Sequence, residues 1–490
     1  MMKMKSKIYL TALAGVITLA SCSDDFLETE PTEFISSDQI ADASELNPGL
    51  QAANVAGLYS TMYTTGSGGT DLDHDDFGQK GYDIYSDMLS GDMVLGALNY
   101  GWYSGIAQLQ STIDFTDTDN YKPWRYYYRI IFGANNVITA FGGNDVVPET
   151  DEAKHFMGQA KAMRAYAYFY LANLYSEGYE ASTPILPIYT DTEAPNQPLS
   201  PASDVYDLVI SDLEDAVSLL STFSRTDKSE IDQDIAKGLL AYAYAAIGDN
   251  DKVKTITKEI IDTGKFPIAT AEEALGGFNN ITQPGWMWGM DLTLDNGLDL
   301  VSWWGQVDVY TYSYASVGDV KSIDDDLYDA MREDDIRREQ FTDVYEIGQK
   351  APTGKFYDPA REIQGQRYIE TDYVYMRIAE MYLLNAEASA KTGDEGNAIT
   401  MLKVLLNERV EDASYVDALS GQALLDEIYL QTRIELWGEG KSYLAMKRNK
   451  ATITRGPNHL SFPGQSFSYD DDRLTLEIPQ LEIQNNPNIN

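Results

Sequence analysis

Between Ala160 and Leu174 the apolar side chains fall at Ala160, Met163, Ala167, Tyr170, Leu171 and Leu174, the three-four spacing that lines one face of a helix. Pro201 followed by Ser203, read as an N-cap, predicts a second helix, and Val205, Leu208, Val209, Leu213, Ala216 and Leu220 continue in the same period. Two later segments share one internal pattern. The first is Leu239–Ile247, then Gly248-Asp249, then Val253, Ile256, Ile260 and Ile261; the second is Leu384–Thr392, then Gly393-Asp394, then Ala398, Met401, Leu405 and Leu406. Both predict helix, Gly-Asp turn, helix. Small residues on the first helix let the second approach closely, and the glycine permits the turn.

Two such units with matching spacing predict a mainly α protein built as a tetratricopeptide-like helical repeat scaffold. The rhythm breaks from about Lys265 to Lys321, where Gly, Asp and aromatic residues crowd and Thr311-Tyr312-Ser313-Tyr314 alternates like a strand. Irregular stretches follow from Phe341 to Asp372 and from Ala451 to the end. Long excursions from a repeat array commonly carry the binding surface. The expected architecture is thus a helical body with a loop-rich, aromatic-rich ligand-binding excursion and a few short strands.

Aromatic residues single out where that surface lies. Tyr100, Trp102 and Tyr103 share one loop, while Trp286, Trp288, Trp303, Trp304, Tyr310, Tyr312 and Tyr314 crowd the excursion. Flat apolar ring faces suit the C–H face of a sugar, and neighbouring polar groups select its hydroxyls. The expected site is Tyr100, Trp102, Trp303, Trp304, Tyr310 and Tyr312, with Asn99, Gln306, Asp308 and Lys321 as polar partners. About half of the aromatics should instead fill core, Trp286 and Trp288 foremost.

Composition narrows the chemistry. Lys plus Arg number 36 against 77 Asp plus Glu, a net charge of −41, which repels phosphate backbones and anionic lipid but not neutral sugars, so nucleic acid is excluded as a partner. His74, His155 and His459 are the only histidines and stand in unrelated contexts, so neither a zinc site nor a histidine-based triad is expected. Asp71-Leu72-Asp73-His74-Asp75-Asp76 begins like a calcium loop, but Asp76 stands where glycine is needed and Tyr82 where the closing glutamate belongs. Gly66-Ser67-Gly68-Gly69 is not followed by the Lys-Ser or Lys-Thr of a phosphate loop. No metal, cofactor or catalytic residue is predicted. A glycoside hydrolase needs only two well-placed carboxylates and stays open among so many acids.

The chain opens with Lys3, Lys5 and Lys7, an apolar run from Ile8 to Ala20, and Leu19-Ala20-Ser21-Cys22. This reads as a signal peptide over 1–21 ending in a lipoprotein cleavage box. Cys22 is the single cysteine and is the expected lipidation site, with residues 22–48 as a tether and 49–490 as the body.

Several landmarks, taken in order, resemble the SusD/RagB family of outer-membrane nutrient-binding lipoproteins of the Bacteroidetes. They are Cys22-Ser23-Asp24-Asp25-Phe26-Leu27, then Trp124–Ile131 with Ala134-Asn135-Asn136, then Ala160–Tyr168. Tyr375–Leu383 with Asn385-Ala386-Glu387-Ala388, Asn407-Glu408-Arg409, and Ile478-Pro479-Gln480 with Asn486-Pro487 complete the series. Ser442 and Ala445 depart from the Arg-x-x-Asp usual in the last long helix, and losing both together suits replacement of a structural ion pair. The resemblance implies a single body, with 49–320 as an N-terminal helical part carrying aromatic loops and 321–490 as a C-terminal SusD-like part. It further implies a lipid-anchored protein of the outer membrane, exposed at the cell surface. Such a protein captures a glycan for a SusC-type TonB-dependent transporter and does not cleave it. A surface glycoside hydrolase and a peptide- or protein-binding helical scaffold are the alternatives.

Overall fold

The structure, a computed structural model, describes Gln39, Ala43, Ser44 and residues 46–489 apart from Leu72. The expected signal peptide, Cys22 and most of the 22–48 tether lie outside the described residues.

Helices of eight residues or more are α1 Ala52–Thr61, α2 Gln79–Leu89, α3 Thr118–Ala140, α4 Asp151–Leu174, α5 Ala202–Leu219 and α6 Gln233–Ile247, followed by α7 Asn250–Asp262, α8 Ile378–Lys391, α9 Glu395–Leu406, α10 Gly421–Glu435 and α11 Lys441–Arg448. Short strands pair in four antiparallel couples: β1 Met93–Leu95 with β5 Lys321–Ile323, β2 Pro184–Pro187 with β3 Leu199–Pro201, β4 Trp286–Met290 with β6 Tyr373–Arg377, and β7 Thr452–Thr454 with β8 Ser466–Ser468. The body is mainly helical, as the periodicity predicts.

Helices α3 to α7 each pack on the next in sequence, α7 packs on α8, and α8 on α9. The two predicted hairpins, α6–α7 and α8–α9, are therefore neighbours although the excursion separates them in the chain. Each turns through a left-handed glycine, Gly248 at φ 82° and Gly393 at φ 81°, and the following aspartate caps the second helix: Asp249 accepts from the Lys252 N–H and Asp394 from the Asn397 N–H. The sequence Gly-Asp thus supplies both the turn and the cap.

Helix α5 starts two residues earlier than a Ser203 N-cap implies, at Ala202, with Pro201 in the cap position. Ala202 and Ser203 donate their N–H groups to the carbonyls of Thr183 and Ala181. Those outside acceptors do the capping, leaving the Ser203 hydroxyl to bond Asp204.

Charged residues buried between layers fix their relation, since an ion taken out of water needs a close counter-ion. Arg164 on α4 makes a two-pronged bond to Asp212 on α5, both contacts at 2.7 Å. Arg433 on α10 reaches Asp92, just before β1, at 2.6 Å, and the Trp437 indole donates to the Asp92 carbonyl. Glu435 and Glu439 collect Arg337, Arg377, Arg409 and Lys355. Ser442 and Ala445, the departures from the family pattern, are both fully buried on α11. No helix of the described residues is long and apolar enough to cross a membrane.

Candidate functional site

Three loops that are remote in sequence meet on one face. Trp102 and His74 are stacked, with ring centroids 5.0 Å apart and planes 4° from parallel. Tyr314 tilts against both, at 5.8 Å from His74 and 6.4 Å from Trp102, and Tyr100 packs edge-on to Tyr314 at 4.9 Å. The Tyr314 hydroxyl lies 2.5 Å from His74 Nδ1. Partial burial holds the His74 imidazole below its ordinary pKa, against the opposing pull of Asp299 and Asp73. A neutral ring leaves Nδ1 free to accept the Tyr314 proton, which places the ring N–H on Nε2.

Tyr100 is 56% exposed and Tyr312 43% exposed, Trp102 is half-buried, and Tyr314 is buried beneath them. Beside this stack the Arg367 guanidinium lies over the Tyr312 ring at 5.1 Å and is held by Asp299 at 3.0 Å. Arg361 covers Tyr357 at 4.2 Å and Tyr310 at 5.2 Å. Asn99, exposed at the edge, donates to the Gly318 carbonyl. The result is an open, aromatic surface with cationic edges.

Trp303, Trp304, Gln306 and Asp308 stand beneath that surface rather than on it, a correction to the platform expected from sequence. Both tryptophans are 1% exposed and Gln306 and Asp308 are fully buried. Ser302 caps the short helix Trp303–Val307, turning Trp303 under Lys80, whose amine sits 4.2 Å from the ring centre, and edge-on to Phe356. Their role is support. Gln306 donates to the His74 carbonyl at 2.7 Å, and Gly305 accepts from the Tyr314 N–H, so this helix positions the stack above it.

Asp308 receives the backbone N–H of Tyr310 and that of Asp358, both at 2.9 Å, which ties the 310 and 358 loops together. Burial pushes its carboxyl up to about 7, with the two N–H donors acting the other way. Lys355, anchored on Glu439 and on the carbonyls of Glu435 and Trp437, fixes the second of these loops to the C-terminal helices.

The Thr311–Tyr314 stretch forms no strand. Only Thr311 bridges, to Gln366. Ser313 and Ser316 each accept the other's backbone N–H through their hydroxyls and so fold the chain into a turn, the competition that serine offers to a ladder. Trp286 and Trp288 are buried in β4, as expected.

His74 and Tyr314 complete the stack and were not among the residues expected in it. His74 sits in the acidic loop that resembles a calcium site. There Asp75 is bound by Lys122 at 2.7 Å and Asp76 by the N–H groups of Gly68 and Thr70, so both carboxylates serve the loop itself. Among the described residues no group of three or more His, Cys, Asp or Glu is placed to hold a metal ion. Of the carboxylates in these loops, Asp299 is engaged by Arg367, Asp308 by two backbone N–H groups and Asp319 by Lys321.

Comparison with known proteins agrees with this architecture. Residues 348–490 match the model described as SusD family, and residues 85–245 match one described as starch-binding associating with outer membrane. A SusD-like protein from Bacteroides ovatus is 26% identical over 298 residues, 56% of this chain and 48% of that protein. A SusD-like protein from Formosa agariphila is 27% identical over 180 residues, 36% of this chain and 30% of that protein. The matched region thus spans half or less of the length of these curated relatives. A crystal structure of a SusD-like carbohydrate binding protein from Bacteroides vulgatus superposes with a TM-score of 0.74 at 25% identity, covering 90% of this chain and 97% of that one. The fold is also that of surface glycan-binding protein A from Bacteroides thetaiotaomicron, solved with laminarihexaose, at a TM-score of 0.67 and 16% identity over 90% of this chain and 97% of that one.

Proposed function

We propose that the chain is a SusD-family member, a lipid-anchored cell-surface protein that captures a glycan, without cleaving it, for a SusC-type TonB-dependent transporter of the outer membrane. The observation that carries this reading is the Trp102–His74 stack with Tyr100 and Tyr312 exposed beside it. Ring faces accept the C–H face of a sugar, the edges supplied by Asn99, Arg361 and Arg367 offer hydrogen-bond donors, and the open geometry suits a chain passing across it. Engagement of Asp299, Asp308 and Asp319 by protein partners favours capture over hydrolysis, because a glycosidase needs a pair of carboxylates facing the bond to be cut. We read the stacked α6–α7 and α8–α9 hairpins as tetratricopeptide-like, and the body as a single unit with 49–320 and 321–490 as its parts. Anchoring is assigned to Cys22.

The test is a calorimetric screen of neutral oligosaccharides and peptides, followed by Trp102→Ala and by chromatography of the incubated ligand. Binding that is lost in the variant with no product formed supports the reading. Cleavage of the ligand establishes the hydrolase instead, and peptide binding in place of glycan binding establishes the scaffold.

A further inference from the structure

A second cleft, of about 460 Å³, lies between α3 and the short C-terminal helix Gln480–Asn485, and it shares no lining residue with the aromatic face. Its wall is aromatic: the half-buried Tyr128 and Tyr189 meet at 5.9 Å, and the buried Trp124 backs Tyr128 at 4.9 Å. The polar ends of these rings are already occupied. The Trp124 indole donates to Glu482, the Tyr128 hydroxyl donates to the Pro187 carbonyl and the Tyr189 hydroxyl accepts the Gln197 N–H, so ring surface is what Tyr128 and Tyr189 present.

Arg125 and Arg129 also line the cleft, one helical turn apart on α3, and both are exposed. Neither guanidinium has an ion pair or hydrogen bond among the described residues. That is unusual in a chain with 77 acids and 36 bases, where nearly every other arginine described above has a carboxylate. The one acid at the cleft, Glu482, is taken by Trp124 and by the Asn486 side chain. Arg125 is also set in place by its neighbour: Gly69 has φ +96°, and a Cβ there would come within 2.3 Å of Arg125 Nη1. The loop glycine leaves room for the guanidinium to lie along the backbone.

We propose that this cleft is a second ligand site, for an acidic sugar residue whose ring lies against Tyr128 and Tyr189 and whose anionic group is received by Arg125 and Arg129. A planar guanidinium fork matches a carboxylate or a sulfate in two-pronged geometry. The volume falls within the range of about 300–1,000 Å³ usual for small-molecule sites. A uronic acid and a sulfated sugar both carry this chemistry. The net negative charge of the whole chain disfavours anions generally, so selectivity for one at this place depends on these two arginines.

Calorimetry with trigalacturonate, its fully methyl-esterified neutral form and a sulfated trisaccharide tests the assignment, using wild type, Arg125→Gln/Arg129→Gln and Trp102→Ala. The expected result is saturable binding of at least one anionic probe, weakening with salt, with the neutral ester at least about tenfold weaker. The double arginine variant should lose about tenfold or more at unchanged melting temperature, while Trp102→Ala keeps the anionic probe's affinity. Which anionic probe binds tells the carboxylate source from the sulfate source. No binding of either anionic probe overturns the proposal, as does equal binding of the neutral ester or undiminished binding in the double variant. Loss in Trp102→Ala alone assigns the ligand to the aromatic face and likewise overturns it.

Discussion

His74 and Trp102 lie 5.0 Å apart and only 4° from parallel, and Tyr314 closes on the imidazole through a 2.5 Å contact to Nδ1. Three loops therefore share one aromatic unit, which in the proposed function holds Trp102 in place before a ligand arrives. Pre-ordering of this kind reduces the entropy lost on binding.

Trp102→Ala should weaken glycan binding by about 2 kcal/mol, roughly thirtyfold, at an unchanged melting temperature. Trp303→Ala should behave in the opposite sense, because that ring is buried under Lys80 and against Phe356. A loss of about 3–5 kcal/mol in stability is expected for it. Calorimetry paired with thermal denaturation separates the two, and a destabilised Trp102→Ala would remove Trp102 from the binding surface.

Binding should be pH-dependent through His74. Its folded pKa is lowered by burial, so the folded state favours the neutral ring, and the stability this confers is lost as the pH falls below the unfolded imidazole value of about 6.5. A protonated ring can no longer accept the Tyr314 proton. Affinity for a neutral glycan should therefore be flat above neutrality and decline in acid. His74→Gln, which cannot titrate, should give a flat profile over the same range.

Acid should unfold the C-terminal half by protonating Glu387 and Glu439. Burial alone would raise these carboxyls, but Arg448 and Lys391 around the first, and Arg377 and Lys355 around the second, bring both down to about 2. A depressed carboxyl contributes stability that is complete above its unfolded value of about 4.3 and is lost as the pH falls toward 2, roughly 3 kcal/mol for each. Denaturant titrations from pH 6 to pH 2 measure this. Glu387→Gln should be less stable at neutrality and should lose less on acidification.

Cys22→Ala should release a folded protein from the membrane fraction, with glycan binding intact. Retention of the variant in membranes, checked by fractionation and immunoblotting, would contradict the anchor. Under mild detergent the wild-type chain should co-purify with a large transporter, and repeated recovery of this chain alone would count against that partner.

The helices were legible because burial on one face imposes a period that survives in a single sequence, and the glycines at 248 and 393 announce the turn between paired helices. The site was legible only in outline. A dense run of aromatics says that rings will cluster, but Trp303 opens a one-turn helix and Tyr312 lies in a loop, and segments so short carry no period to tell a buried ring from an exposed one. His74 gave no signal at all, since a lone histidine in an acidic loop becomes a stacking partner only when a loop some thirty residues away and another beyond residue 310 fold onto it. Ser203 shows the same limit on a smaller scale: capping was decided by carbonyls at 181 and 183 that no local pattern could place.

The ion pair between Asp92 and Arg433 joins residues 341 positions apart, and β1 waits for β5 in the same way. Contacts so distant along the chain close late, after much loop entropy has been lost, and make assembly slow for the size of the helical body. A growing or truncated chain that ends before Arg433 holds Asp92 without its counter-ion, so the N-terminal half cannot complete its interior alone. The segment that carries Asp92 and leads through β1 toward the Tyr100–Trp102 loop therefore gains its counter-ion only once α10 has been made.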